Sequence, residues 1–254
     1  MTNQITGTRL SRLSYVRFTT AVALLIALQM AGLDSPAIAQ VTSSAIASVE
    51  SDGFDGDPWE PFNERVFSFN YNVFDRFVLK PLGTVWDTIL PDPVQRSIHN
   101  ALDNLGVVPR LTNSLLQLKF AGAGREVARF TINSTVGVAG LFDVAKDGFG
   151  IEQSDEDTGQ TLGVYGVGPG PYLVLPFLPV MTVRDGLGLA ADVAMSPLNY
   201  FIPAGATLGI YGTDAVNERS LNLSTFERVE ESAIDLYGAI RDGYLQRREA
   251  AIKE

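Results

Sequence analysis

The first patterned stretch of the chain opens at Phe62, where Phe62, Val66, Phe69, Val73 and Phe77 recur at spacings of four, three, four and four. That is the repeat of a helix keeping one apolar stripe. Five Phe and one Tyr crowd positions 62–77 alongside Asn63, Asn70 and Asn72, an aromatic density unusual for a surface helix. A second helix is predicted where Asp92 can cap, Pro93 can occupy the first position, Ile98, Leu102 and Leu105 form a stripe and Gly106 ends the run. A third is read around Leu111 to Phe120, with Gly122 and Gly124 separating it from Arg125 to Thr135. Near the C-terminus Ser224-x-x-Glu227 has the form of a capping box. From there Phe226, Val229, Ala233, Leu236 or Tyr237, Ile240 and Tyr244 keep a three/four spacing, predicting one amphipathic helix with its Arg, Glu and Asp on the other face.

Between Thr158 and Thr213 the pattern changes. These 56 residues hold ten Gly and six Pro, yet only Arg184, Asp185 and Asp192 as charges. Gly163, Gly166, Gly168, Pro169, Gly170, Pro171, Pro176 and Pro179 interrupt every apolar run, so no spanning helix fits. Two readings stay open on composition: a buried core rich in turns, or a region lying in a lipid interface with a polar passage.

Before residue 57 the chain reads as an address rather than a fold. Arg9, Arg12 and Arg17 give a positive start, Phe18 to Leu33 is uncharged and mostly apolar, and Ala37-Ile38-Ala39 resembles a small-residue cleavage site. Residues 1–39 are thus predicted to be a cleaved export signal and 40–56 a flexible lead-in. Cleavage would remove three Arg and one Asp, taking the formal charge from -10 to -12.

Composition then narrows the chemistry. With no Cys there is no disulfide, thiolate nucleophile or Cys-type metal site, and the single His99 rules out any centre needing two imidazoles. The negative charge argues against nucleic acid as a partner. A hydrolase would have to use His99, which sits on a predicted helix with no G-x-S-x-G elbow in the chain. The Gly166-Val167-Gly168-Pro169-Gly170-Pro171 run lacks phosphate-loop spacing, and its prolines remove two amide donors. The acidic runs Asp52, Asp55, Asp57 and Glu152, Asp155, Glu156, Asp157 match no calcium loop and read as solvated turns. No catalytic, metal or cofactor site is expected.

Several motifs occur together and in order: Asp57-Pro58-Trp59-Glu60-Pro61-Phe62-Asn63, Phe69-Asn70 with Asp75, Asn133-Ser134-Thr135, and Gly140-Leu141-Phe142-Asp143-Val144-Ala145. The long run from Thr158 to Pro176, Arg184-Asp185 and Tyr244-Leu245-Gln246-Arg247-Arg248 complete the series. Taken together they resemble the MlaA (VacJ) family of outer-membrane phospholipid-transport lipoproteins, over residues 57–248, with 249–254 left as a tail.

The resemblance implies a mainly α fold, a ring-like arrangement of amphipathic helices with Gly/Pro-rich turns around a central amphipathic channel, seated in a Gram-negative outer membrane. It implies a non-enzymatic role: removing misplaced phospholipid from the outer leaflet and passing it to a periplasmic carrier, in association with a trimeric porin, so that lipid asymmetry is kept. The lipobox cysteine usual in the family is absent, since Leu33 stands where it would fall. Anchorage is therefore expected to rest on an apolar girdle or a porin rather than on an acyl chain. Asn70, Asn72, Tyr165, Gly166, Gly168 and Tyr172 are the candidates for channel lining, and Arg184-Asp185 for a structural ion pair in charge-poor surroundings. A structural, porin-associated envelope protein without a lipid path is the alternative.

Overall fold

The computed structural model describes residues 57–232 and 235–254, all within one compact unit that begins at Gly53. The predicted signal, its Ala37 and Ala39, the lead-in and Ala233 lie outside the described residues. The fold is mainly α. A continuous helical rod is built from α1 (Glu60–Phe69), a π-helical middle (Asn70–Leu79) and α2 (Lys80–Ile89). It is followed by α3 (Asp92–Leu105), α4 (Val107–Leu116), α5 (Phe120–Thr135), α6 (Val144–Phe149) and α7 (Thr158–Val164). A short antiparallel ladder pairs β1 (Tyr172–Leu173) with β2 (Met181–Thr182), Tyr172 opposite Thr182. The chain then continues as α8 (Val183–Met195), α9 (Leu198–Phe201), α10 (Ala204–Leu221), α11 (Leu223–Ser232) and α12 (Leu236–Lys253).

Local chemistry sets these ends. Asp143, Asp157, Thr182 and Asp235 each accept a hydrogen bond from a first-turn backbone N–H, of Lys146, Gln160, Asp185 and Gly238 respectively. Gly150 closes α6 in the left-handed region. The Asp235 cap divides what the C-terminal periodicity predicts as one helix into α11 and α12, and Ser224 falls inside α11 rather than capping it. Gly122 and Gly124, predicted as a break, lie inside α5. There Gly122 lets the helix close on Ser114 and Ser154, whose Oγ atoms would each sit 3.3 Å from an added Cβ.

The main helix pairs are α7 with α8, α4 with α5, and α10 with both α2 and α3. Where α7 meets α8, a Cβ on Gly188 would lie 2.3 Å from the backbone nitrogen of Gly159, so the backbones touch in a way only glycine allows.

What is buried is unusual. Among the described residues eighteen buried side chains are polar or charged and eight are apolar, while thirty large apolar side chains are exposed. The 62–77 stretch is helical as predicted, but from Asn70 it is π-helical rather than α-helical, and its apolar side chains face outward at the far end. Phe69, Val73 and Phe77, the last 70% exposed, continue into Leu82, Val85 and Ile89. The charge-poor block also divides. Tyr172–Val174 and Met181–Asp185 at its centre are buried, whereas Phe177 in the turn between them and Tyr165, Tyr200, Phe201 and Leu208 on the flanks are exposed. Most of the exposed apolar surface lies outside that block, between Phe69 and Phe149. Water drives apolar groups inward; hydrocarbon removes that drive and leaves polar contacts and small-residue packing to join helices. No helix among the described residues is long and apolar enough to cross a membrane.

Candidate functional site

The buried polar residues form joints between segments far apart in sequence. Asn63 donates to Tyr172 O at 2.8 Å and to Asp57 at 2.9 Å, and accepts from Val174 N at 2.9 Å. The first motif is thereby fastened to β1, and Tyr237 of α12 also donates to Asp57. Asn70 clasps the following turn, donating to Leu175 O at 2.8 Å and accepting from Phe177 N at 3.0 Å. On α5, Arg129 and Asn133 both donate to Asp143, at 2.9 and 2.8 Å. Asp75 of the π-helical middle receives two hydrogen bonds from Arg219 of α10, at 2.7 and 3.1 Å.

Arg184 and Asp185 pair at 2.8 Å, both nearly fully buried. Arg248 of α12 completes the cluster, reaching Asp185 at 2.9 Å and Asp157 at 2.5 Å, and Tyr244 donates to Asp185 as well. Burial alone would raise the Asp185 carboxyl, but hydrogen bonds from Arg248 and Tyr244, with the charges of Arg248 and Arg184, hold it below the usual carboxylate range.

A cleft of about 300 Å³ opens between α3, α4, α8 and α10, with α9 at its rim. Its walls carry apolar groups such as Leu102, Leu105, Val193 and Ile210, and its polar side chains are His99, Asp103, Arg110, Asp192, Ser196, Tyr211 and Asp214. Arg110 is held through all three of its nitrogens. Its Nε donates to the buried Glu126 at 2.8 Å, and its terminal nitrogens reach the Asp103 carboxylate at 3.0 Å and carbonyl at 2.9 Å. Asp192 accepts from Thr158 Oγ1 at 2.6 Å and from Asn113 at 3.0 Å, and burial still leaves it above the usual range. Asp214 differs: its Oδ1 is shielded from solvent and accepts no hydrogen bond. Burial raises its carboxyl, nearby His99 opposes that, and Asp103 adds to it.

None of the channel residues proposed from sequence lines this cleft. Asn70 and the buried Tyr172 belong to the joint around β1. Asn72 is exposed and donates to Ser68 at 3.0 Å. Tyr165, exposed, donates to Leu116 O at 2.6 Å. Gly166, at φ +87°, and Gly168 lie in the loop between α7 and β1. The sequence reading missed Asp103, Arg110 and Asp214, and treated His99 as a plain polar helix face. Asp192 did carry a signal, as one of three charges in the charge-poor block.

The model of the MlaA lipoprotein family matches residues 55–251. An uncharacterized protein of Rickettsia felis is 35% identical over 198 residues, 78% of each chain. The intermembrane phospholipid transport system lipoprotein MlaA of Haemophilus influenzae is 33% identical over 75% of this chain and 76% of its own, and that of Escherichia coli 31% identical over 76% and 77%. A solved structure concerned with the structural basis for maintenance of bacterial outer membrane lipid asymmetry superposes with a TM-score of 0.69 at 31% identity, covering 78% of this chain and 99% of that one.

Proposed function

Because the chain belongs to the MlaA lipoprotein family, we propose that it transports phospholipid between membranes, removing mislocalised lipid from the outer leaflet of the outer membrane and so maintaining lipid asymmetry. One observation carries the reading: among the described residues the interior is joined largely by polar groups while thirty large apolar side chains are exposed, a distribution that suits a protein in contact with acyl chains. In this proposal the helices surround a central amphipathic channel whose polar portion is the cleft at His99, Arg110 and Asp214. Asn72, Tyr165, Gly166 and Gly168, which keep solvent access, serve as further lining where a lipid enters or leaves.

The proposal assigns two partners. The exposed apolar surface, prominent at Phe77, Phe120 and Phe201, meets lipid and a trimeric porin. A periplasmic carrier receives the lipid. Transport of this kind makes and breaks no bonds, so no catalytic residue is assigned. Deleting the gene in its own host should place phospholipid in the outer leaflet and sensitise cells to detergent, both reversed by the intact gene. An outer leaflet of unchanged composition would remove the transport assignment. A protein that still bound porin but co-purified without lipid would favour the scaffold alternative.

A further inference from the structure

The charged groups of the cleft are turned largely to protein. Arg110 holds Asp103 and the buried Glu126, Asp192 accepts from Thr158 and Asn113, and Asp214 Oδ1 is sealed from solvent. The N–H groups that Arg110 has left stand among Asp103, Asp192 and Asp214, and three carboxylates beside one guanidinium disfavour a phosphate at that depth. The apolar groups are in the opposite position. Leu102, Leu105, Val193, Leu198 and Ile210 reach the cleft from four helices, and each is only half-buried, so they share an apolar surface that stands uncovered. Among the described lining residues only His99 and Tyr211 are exposed, which puts the mouth beside them. The rim continues into apolar surface: Leu198 belongs to α9, whose Tyr200 and Phe201 are 73% and 86% exposed, and Leu208, 52% exposed, lies one turn before Tyr211 on α10.

We propose that the cleft is an acyl-chain subsite: it takes one fatty chain of a phospholipid end-on, with the phosphate and glycerol at the mouth beside His99 and Tyr211. The inference rests on the lipid-transport reading and names the part of the lipid that this site reads. Size sets the number of chains. An apolar cavity of about 150 Å³ takes one benzene ring, so a cleft of about 300 Å³ has room for about a dozen carbons, most of one chain and none of a second. The imidazole and the phenol offer N–H and O–H to phosphate or ester oxygens, which every phospholipid carries. The site therefore reads the chain rather than the headgroup, and each methylene it buries tightens binding about fourfold.

The test reconstitutes the full chain in phosphatidylethanolamine and phosphatidylglycerol vesicles with a trace of phosphatidylcholine bearing a diazirine, either at the end of one acyl chain or on the headgroup. Labelled residues are found by mass spectrometry after illumination. The chain-end probe should label Leu102, Leu105 or Ile210, and the headgroup probe His99 or Tyr211. Exchanging choline for ethanolamine or glycerol on the chain-end probe should change cleft labelling by no more than about twofold. Ile210→Trp, which fills the cleft, should cut that labelling at least about fivefold while Phe201 outside is labelled as before. Headgroup labelling of Leu102, Leu105 or Ile210 as strong as chain-end labelling overturns the proposal, as does cleft labelling that survives in folded Ile210→Trp or follows the headgroup. Headgroup labelling absent from both His99 and Tyr211 overturns the mouth. Chain-end labelling of Phe77, Phe120 and Phe201 with none in the cleft overturns the subsite and leaves the transport reading standing, whereas labelling of neither surface removes both. Should Ile210→Trp fail to fold, the comparison of the two probes on wild type decides.

Discussion

Asn63 does for this fold what a large apolar residue does in a water-soluble core. Its fully buried amide satisfies a carbonyl and an N–H of the 172–174 segment and a carboxylate oxygen of Asp57. Truncation to Ala removes one side chain but takes away the partner of two buried backbone groups, Tyr172 O and Val174 N, and leaves Asp57 with Tyr237. Asn63→Ala should therefore lower stability by about 2–4 kcal/mol, read as a shift in denaturant midpoint in detergent; no shift would mean that water substitutes freely at the joint. The Arg184, Asp185, Asp157 and Arg248 cluster leads to a second expectation. Removing one partner from a buried ion pair leaves an uncompensated charge, so Arg248→Met should cost about 3 kcal/mol or more. The same carboxylate sets a pH limb. Asp185 is held below its ordinary value, so its contribution is fully present above about pH 4 and is lost as pH falls through the depressed value. Unfolding midpoints followed down through this range should drop for wild type and drop less for Asp185→Asn, measured from that variant's lower plateau; parallel acid limbs would contradict the assignment.

At the scale of elements, helices are held by backbone approach as much as by side chains. The α7–α8 crossing depends on Gly159 and Gly188, and the hydrogen bonds from Thr158 to Asp192 span the same junction. Gly188→Ala forces the two backbones apart and should cost about 1–3 kcal/mol, with circular dichroism checking that helix content survives. The outward stripe of the rod behaves oppositely. Phe77→Ser touches little protein and should change the denaturant midpoint by no more than about 0.5 kcal/mol, yet it should weaken retention in membranes washed with high salt.

The sequence could be read for the first of these properties and not the second. Spacing revealed that 62–77 is helical because a stripe declares its period, but a period does not say which solvent the stripe meets. Thus Phe77 is exposed where a water-soluble reading would bury it. The family motifs were visible as strings, while their work as joints was not: Asn63 meets Tyr172 across 109 positions, beyond any local pattern. The cleft was illegible for the same reason, since His99, Arg110, Asp192 and Asp214 come from four helices.

For the whole molecule, polar joints inside and apolar groups outside make one account. Each buried polar group is costly unless partnered, and most here are; each exposed Phe or Leu is costly in water and costs nothing in hydrocarbon. The chain contains no cysteine, so single cysteines can be introduced without clearing a background. Nitroxide labels placed at Phe77, Phe120 and Phe201 and, as a reference, at Arg247 of α12 should be compared in reconstituted outer-membrane lipid for relaxation by oxygen, which concentrates in hydrocarbon, and by a water-soluble nickel chelate. The first three positions should favour oxygen and Arg247 the chelate. Collisions with the chelate at Phe77, Phe120 and Phe201 as frequent as at Arg247 would mean that water bathes the apolar surface, and the lipid-embedded account would be wrong.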